Sequence, residues 1–465
     1  MASIPGLGEL LPVADPTATT SSTAAPTTTE TLEPFWEYRF EVPHASTLDI
    51  KLTSGVAEKD GTELAPNTLY TFSATKSKIN TWYGCTLEIS STGNYDAYIS
   101  ELTADETPMV SYLNLHFKLE EFRMAAQRSG QMGPRVLVVG PSNAGKTSLV
   151  KMLTGWATRM GRQPLVVNTD CREGMLALPG SLSAAVFPSI INITTDWGST
   201  PSSGPSAIPV KLPIAYCYGL EYPEKNIRLF KMLLSRLAVA VTSRLAEDPD
   251  VKTSGLLIDT GGVSVSKGSY DHIAHIVSEF SVNIVLVIGS ERMSSEMQKK
   301  FAGQKTSLDE TIAVVGLDKS GGVVERDSGF LQQVRETAIR EYFFGTANTT
   351  LSPFTQQVDF SALSLWKVNE ASTPAAIEDD IYSDTMLEKV EPSLMIQNCI
   401  LAVVYASIYD SADTIRDSNL MGYVYVTDVD EKRRKIKILA PVSARLGDRP
   451  LIWGSWPEPM VSLLG

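Results

Sequence analysis

Cysteine and histidine are scarce in this 465-residue chain, with four of each. The cysteines (Cys85, Cys171, Cys217, Cys399) stand far apart and form no C-x-x-C pair. That pattern argues against a disulfide framework and a cysteine zinc site, and it suits a reducing compartment. The histidines (His44, His116, His272, His275) have no metal-site spacing backed by cysteine or acid; His272 and His275, three apart in a helix-like stretch, read as helix surface or core. No apolar run approaches the ~18 residues of a membrane span. No basic region followed by an apolar core opens the chain, so no secretory signal is expected. Net positive charge is missing too: the formal charge is −13. This excludes a body coated for non-specific nucleic-acid binding, so any RNA contact must be local. Hydrophobic residues at 43% suffice for sizeable cores, and the length predicts two or three domains.

What is present is concentrated in Arg135-Val-Leu-Val-Val-Gly-Pro-Ser-Asn-Ala-Gly-Lys-Thr-Ser-Leu-Val150. It contains G-x-x-x-x-G-K-T at Gly140, Gly145, Lys146 and Thr147. Valines at 136, 138 and 139 precede it as a strand; Leu149, Val150, Leu153 and Trp156 follow on one helical face. Strand, glycine-rich loop and helix is the context a phosphate-binding P-loop needs. Backbone N–H groups from Gly140 through Asn143, Ala144, Gly145 and Ser148 cradle phosphate, and the helix N-terminus adds partial positive charge. Lys146 is expected to reach the β- and γ-phosphates, and Thr147 to ligate Mg²⁺. The guanine-reading [NT]-K-x-D is not evident, since Leu317-Asp-Lys-Ser320 does not match; adenine nucleotides, hence ATP, are favoured.

Around this motif the chain reads as three folded parts and a tail. Residues 1–33 are rich in Thr, Pro and Ala and are expected to be disordered. Short alternating segments between turn residues predict an antiparallel β domain over 34–118. Leu115, Leu119 and Phe122 recur at helical spacing, predicting a linker helix into the next domain. From 119 to 345 β and α signals alternate, with strands near 136–139, 165–168, 256–259, 283–288 and 312–315 and helices near 148–160, 225–246, 272–280 and 329–344. That rhythm predicts an α/β P-loop NTPase domain, a parallel sheet with helices on both faces. A Gly/Ser/Pro-rich surface loop is expected at 194–207. Residues 346–465 read as a second, mostly β domain with an acidic loop from Glu378.

Further groups carry possible chemistry. Asp170 and Asp259 each end a predicted strand, and either can serve Mg²⁺ through water; an acid there can also act as base toward an attacking hydroxyl. Arg292, Lys299 and Lys300 follow the strand ending at Ile288 and offer cations for a closing lid, or simply a solvated helix. Glu431-Lys-Arg-Arg-Lys-Ile-Lys437 is the one dense basic run, at the turn of an expected hairpin. It reads as a solvated tip or as a patch for RNA or an acidic partner.

From about residue 34 onward the chain resembles the eukaryotic RNA 5′-hydroxyl polynucleotide kinase family, in its cleavage-and-polyadenylation branch, the Clp subunits of fungal pre-mRNA cleavage factor IA. The opening Met1-Ala-Ser-Ile-Pro-Gly6 is similar, as are Gly61-Thr-Glu-Leu-Ala65, Thr81-Trp-Tyr-Gly-Cys85, Tyr112-Leu-Asn-Leu-His116, Gly133-Pro-Arg-Val136, Lys319-Ser-Gly-Gly-Val-Val-Glu-Arg326, Ile339-Arg-Glu-Tyr-Phe-Phe-Gly345 and Glu431-Lys-Arg-Arg-Lys435. The resemblance implies a nucleus-located factor, a Pcf-type partner, and a nucleotide site between the β domain and the P-loop, with Glu37 and Lys76 on the nucleoside side. Thr147 and Asp170 would then hold Mg²⁺. Active members carry D-x-G-Q where this chain has Asp170-Cys-Arg-Glu173. Their Ser/Thr-rich clasp is matched by Leu220-Glu-Tyr-Pro-Glu-Lys-Asn226, where the Glu221 carboxylate would repel phosphate. Their base-stacking Trp is matched by Val263, and their second lid arginine by Lys299, which cannot form a bidentate fork. These departures predict an ATP-binding, kinase-inactive interaction scaffold. The alternatives are an active kinase, with Asp170 as base and Lys146 and Arg292 as transition-state cations, and a nucleotide-hydrolysing switch.

Overall fold

The computed structural model describes residues 27–101, 108–195, 197, 214–263, 270–346, 349–371, 386–441 and 449–464. The tail at 1–26, most of the loop expected at 194–207 and the acidic loop from Glu378 lie outside the described residues.

Nine strands form two facing sheets at the N-terminal end: β1 (Thr28–Leu32), β2 (Glu37–Val42), β3 (Thr47–Gly55), β4 (Glu58–Lys59), β5 (Thr62–Glu63), β6 (Leu69–Phe72), β7 (Thr75–Asn80), β8 (Cys85–Thr92) and β9 (Asp96–Ser100). One sheet runs β1-β8-β3-β6, the other β5-β4-β7-β2-β9. Alternation decides the inner faces. Tyr38, Phe40 and Val42 of β2 meet Leu48, Ile50 and Leu52 of β3 in one core. The first strand corrects the expectation of a disordered tail reaching residue 33. Thr28 to Leu32 pair antiparallel with Ile89 to Cys85, and Leu32 is buried. Threonine is β-branched and suits a strand once a partner edge exists.

Helix α1 (Met109–Ser129) leads into the central domain, and the boundary expected at 118/119 falls inside it. The central elements are β10 (Arg135–Val139), α2 (Lys146–Arg159), β11 (Leu165–Asn168), β12 (Ser181–Val186), β13 (Ile214–Cys217), α3 (Ile227–Glu247), α4 (Pro249–Ser254), β14 (Leu256–Asp259), α5 (Tyr270–Glu279), β15 (Ile284–Ile288), α6 (Glu291–Phe301), β16 (Ala313–Leu317) and α7 (Ser328–Phe344). The sheet order is β13-β12-β11-β14-β10-β15-β16. Its five strands from β11 to β16 are parallel, whereas β12 and β13 add antiparallel pairs at one edge. The all-parallel expectation is therefore corrected to a mixed sheet. The segment from β11 to β12 contains no crossover helix, and a strand that returns directly pairs antiparallel. β10 is buried on both faces: Val136 and Val138 meet the α2 side, Leu137 and Val139 the α3 and α5 side.

The remaining strands are β17 (Gly345–Thr346), β18 (Thr349–Thr350), β19 (Phe354–Asp359), β20 (Ser364–Val368), β21 (Leu387–Val390), β22 (Ile400–Val404), β23 (Leu420–Asp430), β24 (Lys435–Ala440) and β25 (Pro450–Trp453), with α8 (Ala412–Arg416). Seven of them form one mixed sheet, β19-β24-β23-β22-β25-β20-β21. Tyr342 of α7 makes two contacts with one residue: its hydroxyl accepts from the Tyr423 N–H at 2.9 Å, and its ring stands edge-on to the Tyr423 ring. The Arg335 guanidinium lies 4.4 Å from the Trp456 ring and is paired with Glu458. Among the described residues, no helix is long and apolar enough to cross a membrane.

The N-terminal β domain meets the P-loop domain through one buried acid. Glu58 accepts from Asn80 Nδ2 (3.2 Å), Trp82 Nε1 (3.1 Å), Trp156 Nε1 (3.0 Å) and Arg159 Nη1 (2.7 Å). Two of these donors belong to α2, the helix that starts at Lys146. Beside them two glycines let backbones touch. A Cβ on Gly61 would stand 2.6 Å from the Met152 carbonyl oxygen, and one on Gly155 would stand 2.6 Å from the Asp60 carbonyl oxygen. Glu58→Ala leaves the buried Trp156 indole N–H and Asn80 amide, and the half-buried Trp82 indole, without their acceptor, while the exposed Arg159 keeps Glu63. A loss of about 2–4 kcal/mol in urea unfolding is expected; a loss under about 1 kcal/mol would mean that the glycine contacts hold the joint by themselves.

Candidate nucleotide site

The P-loop sits where the sheet order delivers it. β10 is flanked by β14 and β15, and the loop from Gly140 leaves its carboxyl end and closes on α2. Asn143 (φ 52°) and Gly145 (φ 90°) adopt left-handed backbone, turning successive N–H groups toward one point. Underneath, the loop after β14 supports it: Val263 N–H donates to the Gly140 carbonyl at 3.0 Å and Thr260 Oγ1 to the Val138 carbonyl at 2.8 Å. A Cβ on Gly262 would stand 2.1 Å from Ser142 Oγ, so only glycine fits there.

Lys146 is buried, and its Nζ donates to the Pro141 carbonyl at 2.8 Å. Burial lowers its pKa, against the pull of Asp259, Asp170 and Glu173. Thr147 Oγ1 lies 2.6 Å from Asp259 Oδ2. The other Asp259 oxygen is buried without a hydrogen-bond partner. Register explains why Asp259 rather than Asp170 touches Thr147. β14 pairs directly with β10, matching Asp259 to Val138, whereas β11 lies one strand further out. Asp170 stands two residues beyond β11 in a tight turn. Its Oδ1 accepts the Arg172 N–H at 2.9 Å, and a Cβ on Gly261 would stand 3.3 Å from it.

Both acids are held above their ordinary range. Burial raises Asp259 to about 7, and burial followed by the nearby Glu173 charge raises Asp170 to about 6. A buried orphan carboxylate oxygen beside a threonine hydroxyl fits Mg²⁺, which takes one or two protein oxygens and fills its shell with water and phosphate. Among the described residues, no group of three His, Cys, Asp or Glu side chains forms a metal cage of its own.

The β domain contributes the face of β2 and β7 turned away from its core. Glu37 is fully buried; it accepts from Arg39 Nε at 2.9 Å and from Lys78. Lys76 pairs with Glu41 at 2.9 Å and donates to the Glu325 carbonyl at 3.3 Å. The residues expected together, Glu37 and Lys76, thus share a strand pair, but the lysine that meets Glu37 is Lys78. Strand alternation puts 37, 39, 76 and 78 on one face; only the register, Arg39 opposite Lys78, picks the partner. That face touches the 318–326 loop, where a Cβ on Gly322 would stand 2.4 Å from Arg39 Nε.

The lid groups are not assembled over the phosphate loop. Arg292, 74% exposed, pairs with Glu296 on its own helix at 3.0 Å, and Lys299 is exposed; Lys300 faces Asp271 at 3.8 Å. A cavity of about 590 Å³ opens beside the P-loop, lined among others by Ser142, Asp170, Arg172, Tyr222, Val263 and His272. At its wall Arg172 lies 5.1 Å from the Tyr222 ring and 3.9 Å from Glu221. A smaller cavity of about 170 Å³ lies under α1 at the opposite end of β10, away from this chemistry. The basic run at the β23–β24 turn is partly neutralised: Arg433 faces Asp430, Arg434 faces Glu391 and Lys435 faces Asp359. All four cysteines are free thiols.

Three family models match the chain in succession: the N-terminal beta-sandwich domain of polyadenylation factor at residues 31–126, the mRNA cleavage and polyadenylation factor CLP1 P-loop at 140–345, and the pre-mRNA cleavage complex II protein Clp1 at 351–458. The chain belongs to the Clp1 family of mRNA cleavage and polyadenylation factors. A Clp1 of Botryotinia fuckeliana is 54% identical over 469 residues, covering all of both chains, and one of Phaeosphaeria nodorum is 46% identical over 479 residues with the same coverage. Two solved structures superpose on it: wild-type Clp1p with a segment of Pcf11p (TM-score 0.81), and a structure concerned with an extended Pcf11p–Clp1p interface and ATP loss in a glycine-to-arginine mutant (TM-score 0.82). Each is 29% identical and covers 93% of this chain and 99% of that one.

The two raised acids generate a pH prediction. An acid whose folded pKa lies above its unfolded value of 3.8 binds more protons when folded, so its site loses stability as pH rises from about 4 through 7. In EDTA, Asp259→Asn keeps an acceptor for Thr147 and removes the charge. Its Tm is expected to exceed the parent's by about 5 °C at pH 8, with the gap closing toward pH 5. A gap independent of pH would contradict the assignment.

Proposed function

We propose that the chain is an ATP-binding, kinase-inactive subunit of the nuclear pre-mRNA cleavage and polyadenylation machinery, acting as an interaction scaffold. The observation that carries this reading is a contrast within one cleft. The phosphate side keeps Thr147 in contact with the buried Asp259 carboxylate, with Lys146 buried within the electrostatic reach of the same acid. On the acceptor side, Arg172, over the Tyr222 ring and 3.9 Å from Glu221, occupies the space we assign to an incoming hydroxyl and its base.

In this reading the N–H groups from Gly140 to Ser148 wrap the phosphates and Lys146 leaves Pro141 for them. Mg²⁺, when bound, would neutralise phosphate charge; Thr147 would hold it directly and Asp259 and Asp170 through water. The β2–β7 face would supply the nucleoside side: Glu37, held by Arg39 and Lys78, as acceptor, and Lys76 further along β7 beside Glu41. ATP then tethers the β domain to the P-loop domain from inside, in addition to the Glu58 joint. A ligand that binds only the folded arrangement stabilises it by mass action. The partner is a Pcf11-type chain, by likeness to the solved complexes, and RNA contact is indirect, in keeping with the paired basic run. One feature keeps the kinase reading alive as the competitor: Asp170 near 6 is a serviceable base.

The deciding test has two parts. Acid release and chromatography of the nucleotide carried through purification are expected to give intact ATP, and adding Mg²⁺ and ATP to stripped protein to raise its Tm. Labelled phosphate should not appear on an oligonucleotide with a 5′-hydroxyl. Label transfer that disappears in Asp170→Asn would replace this reading with the kinase; a melt indifferent to ATP would remove ATP from it.

A further inference from the structure

Arg326 lies outside the P-loop motif, yet the fold carries it to the phosphate cleft. Its guanidinium forms a two-pronged pair with Glu173, Nη1 to Oε2 at 3.0 Å and Nη2 to Oε1 at 2.8 Å. Glu173 closes the turn that begins at Asp170. Asn168 Nδ2 donates to the carbonyls of both Asp170 (3.1 Å) and Glu173 (3.0 Å), which fixes that turn. The segment carrying Arg326 is fixed as well. Val323 would be 3.3 Å from a Cβ on Gly145, so it rests on the P-loop itself; Arg39 packs on Gly322 and Lys76 holds the Glu325 carbonyl. The fork is thus delivered to the cleft by two braced backbones.

We propose that Arg326 is a phosphate-side arginine of the nucleotide site, held by Glu173 until the terminal phosphate of a nucleoside triphosphate takes its place. This rests on reading the cleft as an ATP site. The geometry supports an exchange. A phosphate offers the same pair of oxygens to a guanidinium fork as a carboxylate does. Both partners are about one-third exposed (35% and 36%), so the swap needs no unburying of either. The charge balance favours it too. Asp259, Asp170 and Glu173 pull the Lys146 pKa up and Arg326 pushes it down, so the fork is within electrostatic reach of the P-loop lysine. Beside three carboxylates, a guanidinium on the terminal phosphate adds to the positive charge that Lys146 and Mg²⁺ would supply. Arg292 does not supply that guanidinium in this arrangement, being turned to Glu296. A diphosphate ends one group short, so Arg326 would separate ATP from ADP.

The test is calorimetric titration of nucleotide-stripped full-length protein with Mg·ATP and with Mg·ADP. Arg326→Gln is expected to weaken ATP about 10-fold or more while ADP changes less than about 3-fold. Glu173→Gln frees the fork and is expected to tighten ATP. Equal effects of Arg326→Gln on both nucleotides, or none, would overturn the proposal. If that variant does not fold, Glu173→Gln decides: ATP affinity unchanged or weakened overturns the proposal as well. A parent protein that binds neither nucleotide overturns the ATP reading itself, an outcome distinct from a parent that binds ATP and variants that bind it equally.

Discussion

The Glu58 carboxylate is the point on which the arrangement of this molecule turns. It sits on a two-residue strand of the β domain and takes hydrogen bonds from its own domain and from the far side of α2. Because α2 begins at Lys146, anything that fixes α2 to the β domain also fixes the P-loop relative to β2 and β7. A buried carboxylate is costly alone and tolerable only when every oxygen is occupied. The interface is therefore specific: another orientation would strand the charge. The paired glycines at 61 and 155 add a steric version of the same condition, since any side chain there would push the domains apart.

With the domains so fixed, the cleft between them is electrostatically unfinished. Three carboxylates gather at the carboxyl ends of β11 and β14, and the protein answers with Lys146 and the Arg326 fork. Burial lifts Asp259 and Asp170 toward neutrality, the usual response of acids lacking a counter-charge. A divalent cation would reverse that response, and a polyphosphate would draw on the two basic groups. Neither suits the cleft alone: the cation answers the acids and the phosphates answer Lys146. The proposed Mg·ATP ligand is the combination that serves both sets.

The central motif was legible because its chemistry is local. Strand, loop and helix follow one another without interruption, and so does the strand ending in Asp259. The choice between Asp170 and Asp259 at Thr147 was not legible, because it depends on which strand lies next to β10, and strand order is not written in sequence order. The same holds for Lys76 and Lys78: alternation gives the face, and register gives the partner. β1 was hidden by composition, since a Thr-rich segment looks disordered until an edge strand is there to pair with it. β12 and β13 were hidden because Ser181–Val186 has neither a long apolar run nor clean alternation. Arg326 stands in a family-like stretch but nothing local marks it, because Glu173 lies 153 positions away.

Glu173, Arg172 and Glu221 bear on the proposal that the cleft holds nucleotide without transferring phosphate. The charged replacements do not face open solvent as stray substitutions would. Arg172 lies over the Tyr222 ring with Glu221 as its near charge at 3.9 Å, and Glu173 is hydrogen-bonded by the Arg326 fork. Each pair ties the Asp170 turn to a different segment: Glu221 precedes α3, which packs beneath the sheet, and Arg326 precedes α7, which carries the C-terminal domain on Tyr342. A small residue at 172 would leave the acceptor side open, and an uncharged one at 173 would leave the fork unanchored. The charged pairs at this turn thus stiffen the link between the phosphate cleft and the surfaces beyond it. In the function proposed above, where nucleotide serves assembly, rigidity at that turn is worth more than access to it.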